Sequence, residues 1–191
     1  ENTRLELETY ANVHRDHTIQ IDVIIEKLKQ SRNPVLFAGA GVRLSNQYEN
    51  FLKLSELLGI PTVTGWNAHD ILPNDHECYA GRPGTVGDRA GNFTVQNADF
   101  ILILGSRLNI RQISYNFKNF AKKAYKVHVD IDRAELDKPT LNTNLAVQAD
   151  LKDFIPALLA KLVNYQPSEQ HLDRKSTRLN SSHEWISRMP S

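Results

Sequence analysis

Short unbroken apolar runs alternate with amphipathic stretches along the middle of the chain. Residues 18–29 place Ile19, Ile21, Val23, Ile24, Ile25 and Leu28 at a spacing that predicts a helix, stopped by Ser31-Arg32-Asn33-Pro34. The run PVLFA at 34–38 leaves into Gly39-Ala40-Gly41, which reads as a buried strand entering a tight turn. Ser45 is placed to cap the next helix, whose inner face carries Phe51, Leu52, Leu54, Leu57 and Leu58, and Gly59 ends it. A strand follows over 60–64. Gly, Pro, Asn and Asp then mark 65–91 as loop, and a helix is predicted over about 91–98. The most apolar strand is 100–105. Beyond it the pattern predicts a helix over 116–123, a strand over 126–131 and a helical turn capped by Asp132 with Glu135 inside it. A short strand over 145–148 and a closing helix over 151–163, in spite of Pro156, complete the reading. Apolar strands alternating with helices predict an α/β fold, a mostly parallel sheet covered on both faces.

In such a sheet, ligands sit beyond the carboxyl ends of the strands. Those ends read Gly39-Ala40-Gly41, Thr64-Gly65-Trp66, Gly105-Ser106-Arg107 and Asp130-Ile131-Asp132. Glycines let backbone N–H groups approach an anion, and a helix start adds partial positive charge. Arg107 and Arg111 carry fixed charge suited to a diphosphate, and Asp130 or Asp132 suits the hydroxyls of a ribose. Together these pieces suggest an adenine dinucleotide. Each also has a plainer reading: a tight turn for Gly39-Ala40-Gly41, solvated surface charge for either arginine, a helix cap for Asp132 and a strand end for Asp130. The third glycine of the common dinucleotide fingerprint is missing, because Val42-Arg43-Leu44 follows Gly41. His76 and Cys78 share a loop with Asp70 and Asp75, but their spacing matches no closed metal-ligand set. No nucleophile stands at a recognisable spacing from a general base. The residues describe a binding platform, with no catalytic and no metal-binding residue assigned.

Charge and composition narrow the partners. The 191 residues carry 23 Lys and Arg against 22 Asp and Glu, a net charge of +1, which gives no basic stripe for nucleic acid or a membrane surface. With 40% hydrophobic and 24% charged residues the composition is globular. One cysteine excludes a disulfide framework and fits a reducing, cytoplasmic setting, and no apolar run reaches the roughly 18 residues of a membrane helix.

The two ends stand apart from this pattern. Residues 1–17 are polar and aperiodic and read as a linker arriving from an upstream domain. Residues 18–165 form the packed domain, and 166–172 a second linker. The stretch 173–191, which holds the only methionine (Met189), resembles the conceptual translation of a sequencing adapter and reads as an artefactual, disordered tail.

Six stretches in order resemble the central domain of thiamine-diphosphate-dependent enzymes of the acetolactate synthase type. They are NPVLFAGAG at 33–41, GIPTVT at 59–64, GTVGDRAGN at 84–92, NADFILILGSR at 97–107, VHVDIDRAEL at 127–136 and VQADL at 147–151. The resemblance implies a six-stranded parallel sheet in three layers, of the Rossmann-like type that binds NAD or FAD. It implies a platform for FAD or ADP at Gly39, Gly41, Gly87, Gly105, Arg107, Asp130 and Asp150. The sequence departs from that pattern at Asn109-Ile110, where the synthases carry two acidic residues, at Thr64-Gly65-Trp66 and at Val86. The resemblance also implies that thiamine diphosphate and Mg2+ are held by flanking pyrimidine- and diphosphate-binding domains of a parent that is a homodimer or homotetramer. No Gly-Asp-Gly run for the metal occurs here, since Arg89 follows Gly87-Asp88. A fragment of this kind is not catalytic alone. Two other classes compete: a stand-alone nucleotide-binding or assembly domain, and an NAD-dependent deacylase. The latter shares the Gly-Ala-Gly turn and a faint likeness at Gln96-Asn97-Ala98-Asp99, but needs four zinc cysteines where only Cys78 exists.

Overall fold

The computed structural model describes residues 17–168 and His171. The stretches expected to be an upstream linker and an artefactual tail lie outside them, apart from His17. The elements are α1 (Thr18–Gln30), β1 (Pro34–Ala38), α2 (Gly41–Leu44), α3 (Tyr48–Leu58), β2 (Thr62–Thr64), α4 (Arg89–Gln96), β3 (Phe100–Leu104), α5 (Ile110–Ile113), β4 (Tyr125–Asp130), α6 (Arg133–Asp137), β5 (Leu145–Gln148) and α7 (Leu151–Lys161). Among the described residues no helix is long and apolar enough to cross a membrane.

The five strands form one sheet in the order β2-β1-β3-β4-β5, and every pairing is parallel. The apolar runs lack polar alternation because both faces are buried. Leu36, Ala38, Leu102, Leu104, Val127 and Val129 pack under α1, α3 and α7, against Ile24, Leu54, Phe51 and Phe154. Val35, Phe37, Ile101 and Ile103 point the other way, into Val95, Leu108, Ile113 and Phe120. Each such leucine, isoleucine, valine or phenylalanine side chain contributes about 1.5–3 kcal/mol by leaving water. The fold is therefore the three-layer α/β sandwich expected. The sheet has five strands rather than six. In the sixth position, outside β2, lies a backbone stretch that pairs without becoming a strand. Thr62 N–H donates to the Cys78 carbonyl (2.7 Å), Ala80 N–H to Thr62 (2.8 Å) and Thr64 N–H to Gly81 (3.2 Å), and Thr62 bridges Tyr79 in parallel. The turn at Gly81 (φ 96°) ends the pairing there.

Two local expectations need correction. Ser45 does not cap α3: it closes the single turn α2, with its hydroxyl donating to the Val42 carbonyl (3.1 Å). The chain then reverses through Asn46 (φ 58°), and Gln47 takes the cap position of α3. The helix expected over 116–123 is only a 3-10 turn at Phe117–Asn119, because Ala121 adopts φ 43° while Phe120 and Ala121 sink into the second core layer. Pro156 sits on the exposed face of α7, where the carbonyl it strands can take water. His171, in the stretch read as a second linker, is buried, and its Nε2 lies 2.9 Å from the Ser31 carbonyl oxygen.

At the amino end of the sheet Asp99 ties the entries of three strands. Asp99 accepts from Ser31 Oγ and from the N–H groups of Arg32 (2.8 Å) and Asn33 (2.8 Å), and its backbone carbonyl accepts from Tyr125 (2.8 Å). Burial alone would raise its pKa, but these three donors together with its own backbone N–H outweigh it and hold the carboxyl below its ordinary value. The stabilisation is complete above the ordinary carboxylate range and fades as pH falls through the depressed native value. Asp99→Ala is expected to cost about 2 kcal/mol in urea unfolding at pH 7. The difference from the unmutated chain should shrink as pH falls below about 4, where Asp99 protonates first in the unfolded chain, and level off once the native state is protonated too.

Candidate functional site

The register sets the site. Thr64, Ala38, Leu104, Val129 and Val147 lie in one row across the sheet, so all five strand exits reach the same level. The order reverses between β1 and β3, the point at which open parallel sheets leave a crevice. A cleft of about 460 Å³ lies there, within the roughly 300–1,000 Å³ range of small-ligand sites. It is walled by residues that follow each of the five strands.

Of the seven platform residues, the cleft brings together Gly39, Gly41, Gly105, Arg107 and Asp130. It does not bring in Gly87 or Asp150. Gly87 is packed in its own loop, where an added Cβ would strike the Arg82 carbonyl and lie 2.6 Å from Gly84 N. Asp150 caps α7, its carboxylate accepting from Lys152 N–H (2.9 Å), while its neighbours Ala149 and Leu151 line the cleft. Arg111 is exposed and off the wall, and its carbonyl receives Thr85 N–H (2.8 Å) and Thr85 Oγ (3.1 Å).

The glycines serve the fold before any ligand. Gly39 N–H donates to Leu104 and Gly41 N–H to the Gly105 carbonyl, both at 2.9 Å, and Gly105 N–H donates to Val129 (2.9 Å). These donors are spent, which corrects the expectation that they stand ready for an anion. A Cβ on Gly39 would collide with the Gly105 carbonyl oxygen, and one on Gly41 would lie 2.7 Å from Gly105 Cα. The glycine exits of β1 and β3 therefore touch backbone to backbone, and the cleft opens above that contact. Gly105 itself turns at φ 59°, where a side chain would be strained.

Polar groups are distributed unevenly along the cleft. Arg107, largely exposed, is the cation on its wall. Ser106 Oγ donates to Gln112 Oε1 (3.2 Å) and accepts from Leu108 N–H (3.4 Å), and the buried His128 fixes the same loop by donating from Nε2 to the Ser106 carbonyl (2.8 Å). Burial lowers the His128 pKa and keeps the imidazole neutral. At the β4 exit, Asp130 is buried and accepts from Asp132 N–H (3.0 Å). Asp132 in turn caps α6 through Ala134 N–H (2.9 Å), so its capping role is real. Burial pushes the Asp130 carboxyl above its ordinary value, Glu135 and Asp132 add to that, and the Asp132 N–H and His128 oppose it. Leu44, Trp66 and Ile131 give the rim an apolar, exposed character. Trp66 sits in a single 3-10 turn held by Gly65 N–H on the Ala38 carbonyl (2.7 Å). Sequence reasoning named Ser106 only as part of a strand end and missed Gln112 and Leu44, which lie in the short helices α5 and α2 and carried no local signal.

The loop of His76 and Cys78 has ordinary structural partners. Cys78 is buried against the Ser55 carbonyl, His76 Nδ1 accepts from Cys78 N–H (3.2 Å), and Asp70 pairs with Arg43 (2.9 Å). Among the described residues no group of His, Cys, Asp and Glu is arranged to hold a metal ion.

Two outcomes follow from the site's geometry. Gly41→Ala forces backbone against backbone and should destabilise the chain by about 1–3 kcal/mol in denaturant unfolding, with or without nucleotide present. Asp130→Asn removes a desolvated charge while keeping an acceptor for Asp132 N–H. The ionised Asp130 loses stability as pH rises through its raised native pKa, so the variant should melt higher than the unmutated chain at pH 7 and equally at pH 3, as read by thermal scans.

Comparison with known proteins agrees with this geometry. Residues 21–158 match the family model described as thiamine pyrophosphate enzyme, central domain. The chain is 32% identical over 147 residues to a probable acetolactate synthase large subunit of Methanocaldococcus jannaschii, covering 77% of this chain and 24% of that protein. It is 33% identical over 159 residues to an acetolactate synthase of Mycobacterium bovis (83% and 25%), and 36% identical over 140 residues to an acetolactate synthase large subunit of Lactococcus lactis (73% and 24%). The chain thus spans about a quarter of the length of these curated relatives. A parallel sheet with its cleft at the β1–β3 reversal, matched over most of its length by that model and those synthases, belongs to the thiamine pyrophosphate enzyme family as an acetolactate synthase-like central domain.

Proposed function

We propose that this domain holds an adenine nucleotide, FAD or ADP, at its strand-end cleft within an acetolactate synthase-like enzyme. That parent decarboxylates a 2-oxo acid and joins the remaining acyl carbon to an acceptor carbonyl. The observation that carries the nucleotide reading is the cleft's donor set. One guanidinium, Arg107, stands beside the paired glycine turns, and a buried carboxylate, Asp130, sits two strands from β1 toward the β5 edge. A diphosphate needs the first and ribose hydroxyls suit the second. Trp66 and Leu44 offer apolar surface at the rim for a planar ring. FAD or ADP fits these groups, with Arg107 on the diphosphate, Asp130 on a ribose hydroxyl, and Gly39, Gly41 and Gly105 giving a surface without side chains. Gly87 and Asp150 would act through the loops they shape.

Thiamine diphosphate supplies the carboligation chemistry in the parent, and Mg2+ its diphosphate anchor. The donor set among the described residues fits neither, and we place both on pyrimidine- and diphosphate-binding domains outside this chain, in a homodimeric or homotetrameric, cytoplasmic enzyme. A flavin bound here would have no redox part in carboligation. The domain's own residues bind and orient, and no proton transfer falls to them. A stand-alone nucleotide-binding or assembly role uses the same cleft without the parent.

Calorimetric titration of the chain with ADP, FAD and NAD tests the reading. Weak binding of ADP or FAD is expected, with Kd on the order of 10 μM to 1 mM, and Arg107→Ala should weaken it about tenfold or more. Tight NAD binding with deacylase turnover would overturn the assignment. Sequencing the source locus on both sides separates the parent enzyme from a stand-alone reading frame.

A further inference from the structure

We infer that Glu135 and Lys138 are positioning residues that orient Arg107 so that its guanidinium reads an oxyanion by shape and not merely by charge. This inference rests on the nucleotide reading of the same cleft. Arg107 belongs to the loop after β3, whereas Glu135 lies in α6 and Lys138 caps its end. Three contacts close a ring between these segments. Arg107 Nε lies 3.4 Å from Glu135 Oε1, Glu135 Oε2 lies 2.8 Å from Lys138 Nζ, and Lys138 Nζ donates to the Arg107 backbone carbonyl oxygen. Lys138 therefore grips the arginine's main chain and the carboxylate that holds its side chain. The next residue, Leu108, is fully buried at φ 45°, which pins the loop from beneath.

The side chains differ in exposure in an informative way. Glu135 and Lys138 are 22% and 21% exposed, so their pairing is sheltered, but Arg107 is 74% exposed. An exposed ion pair with a single contact adds little stability. Its consequence here is directional. With Nε on the Glu135 side of the guanidinium, at 3.4 Å, the edge carrying the two terminal nitrogens is left to meet two oxygens of a phosphate at once. A lysine at this position would offer charge without that edge.

Charge and orientation predict opposite signs for one substitution. Glu135→Gln removes a negative charge beside the cleft. If Glu135 only neutralises Arg107, the variant binds anions more tightly. If it positions Arg107, the variant binds more weakly. Titration of the full chain with sodium pyrophosphate, and separately with ADP, is expected to show about five- to tenfold weaker binding for Glu135→Gln, at a melting temperature close to that of the unmutated chain. Arg107→Lys, which keeps the charge, should lose about as much as Arg107→Ala. By nitrogen-15 NMR, the Nε–H resonance of Arg107 is expected to be sharper in the unmutated chain than in Glu135→Gln or Lys138→Met. Unchanged or tighter pyrophosphate binding by Glu135→Gln, or full binding by Arg107→Lys, overturns this inference alone. No binding of either probe by the unmutated chain overturns the nucleotide reading and this inference with it.

Discussion

Register is the constraint on which the rest depends. The row Thr64, Ala38, Leu104, Val129 and Val147 aligns five strand exits, and the cleft is the space above them. The same register fixes which side chains face which layer. A slip of one residue in β1 would exchange Phe37 with Ala38 and Leu36, driving the large ring into the layer packed for α1, α3 and α7. Burial on both faces therefore does more than stabilise the sheet. It locks the level at which Gly39, Gly65, Gly105 and Asp130 emerge, and so it positions the site.

Strands were legible in the sequence for the same reason. An apolar run such as Phe100–Leu104, buried at every position, has no other stable home in a chain of this size. The helices that failed did so where tertiary packing outweighed the local pattern. Phe117 and Phe120 have helical spacing, but their burial came from an irregular path through Ala121 in the left-handed region, which a periodicity argument cannot see. Ser45 carries the right chemistry for a cap, and the chain used it one turn early, because α2 intervenes before Asn46 reverses the backbone. The sixth strand, implied by family likeness and not by the residues, survives as a single parallel bridge at Tyr79.

The glycine turns were legible as features but not as mechanisms. Gly39-Ala40-Gly41 after a strand suggests N–H groups offered to an anion, yet those groups close the sheet and join the exits of β1 and β3. What the sequence could not reveal was that two glycine turns 64 residues apart lie against each other, which makes each a condition of the other. The Glu135–Lys138–Arg107 ring was hidden for the same reason, since nothing local links a loop after β3 to the end of α6. Residue type identifies the candidates at such a site, and only the topology says which of them meet.

Two carboxylates at strand ends show how environment drives the same group's pKa in opposite directions. Asp99, where β3 begins, takes three hydrogen-bond donors from the protein and has its pKa lowered. Asp130, where β4 ends, is more deeply buried but receives a single N–H and has its pKa raised. The protein has therefore spent donors on the first and withheld them from the second, although both cost desolvation. A fold under selection for stability alone would cap Asp130 as it caps Asp99, or replace it. Asp130 stands on the wall of the cleft, so under the nucleotide reading proposed above the donors it lacks are ones that a ribose hydroxyl would bring.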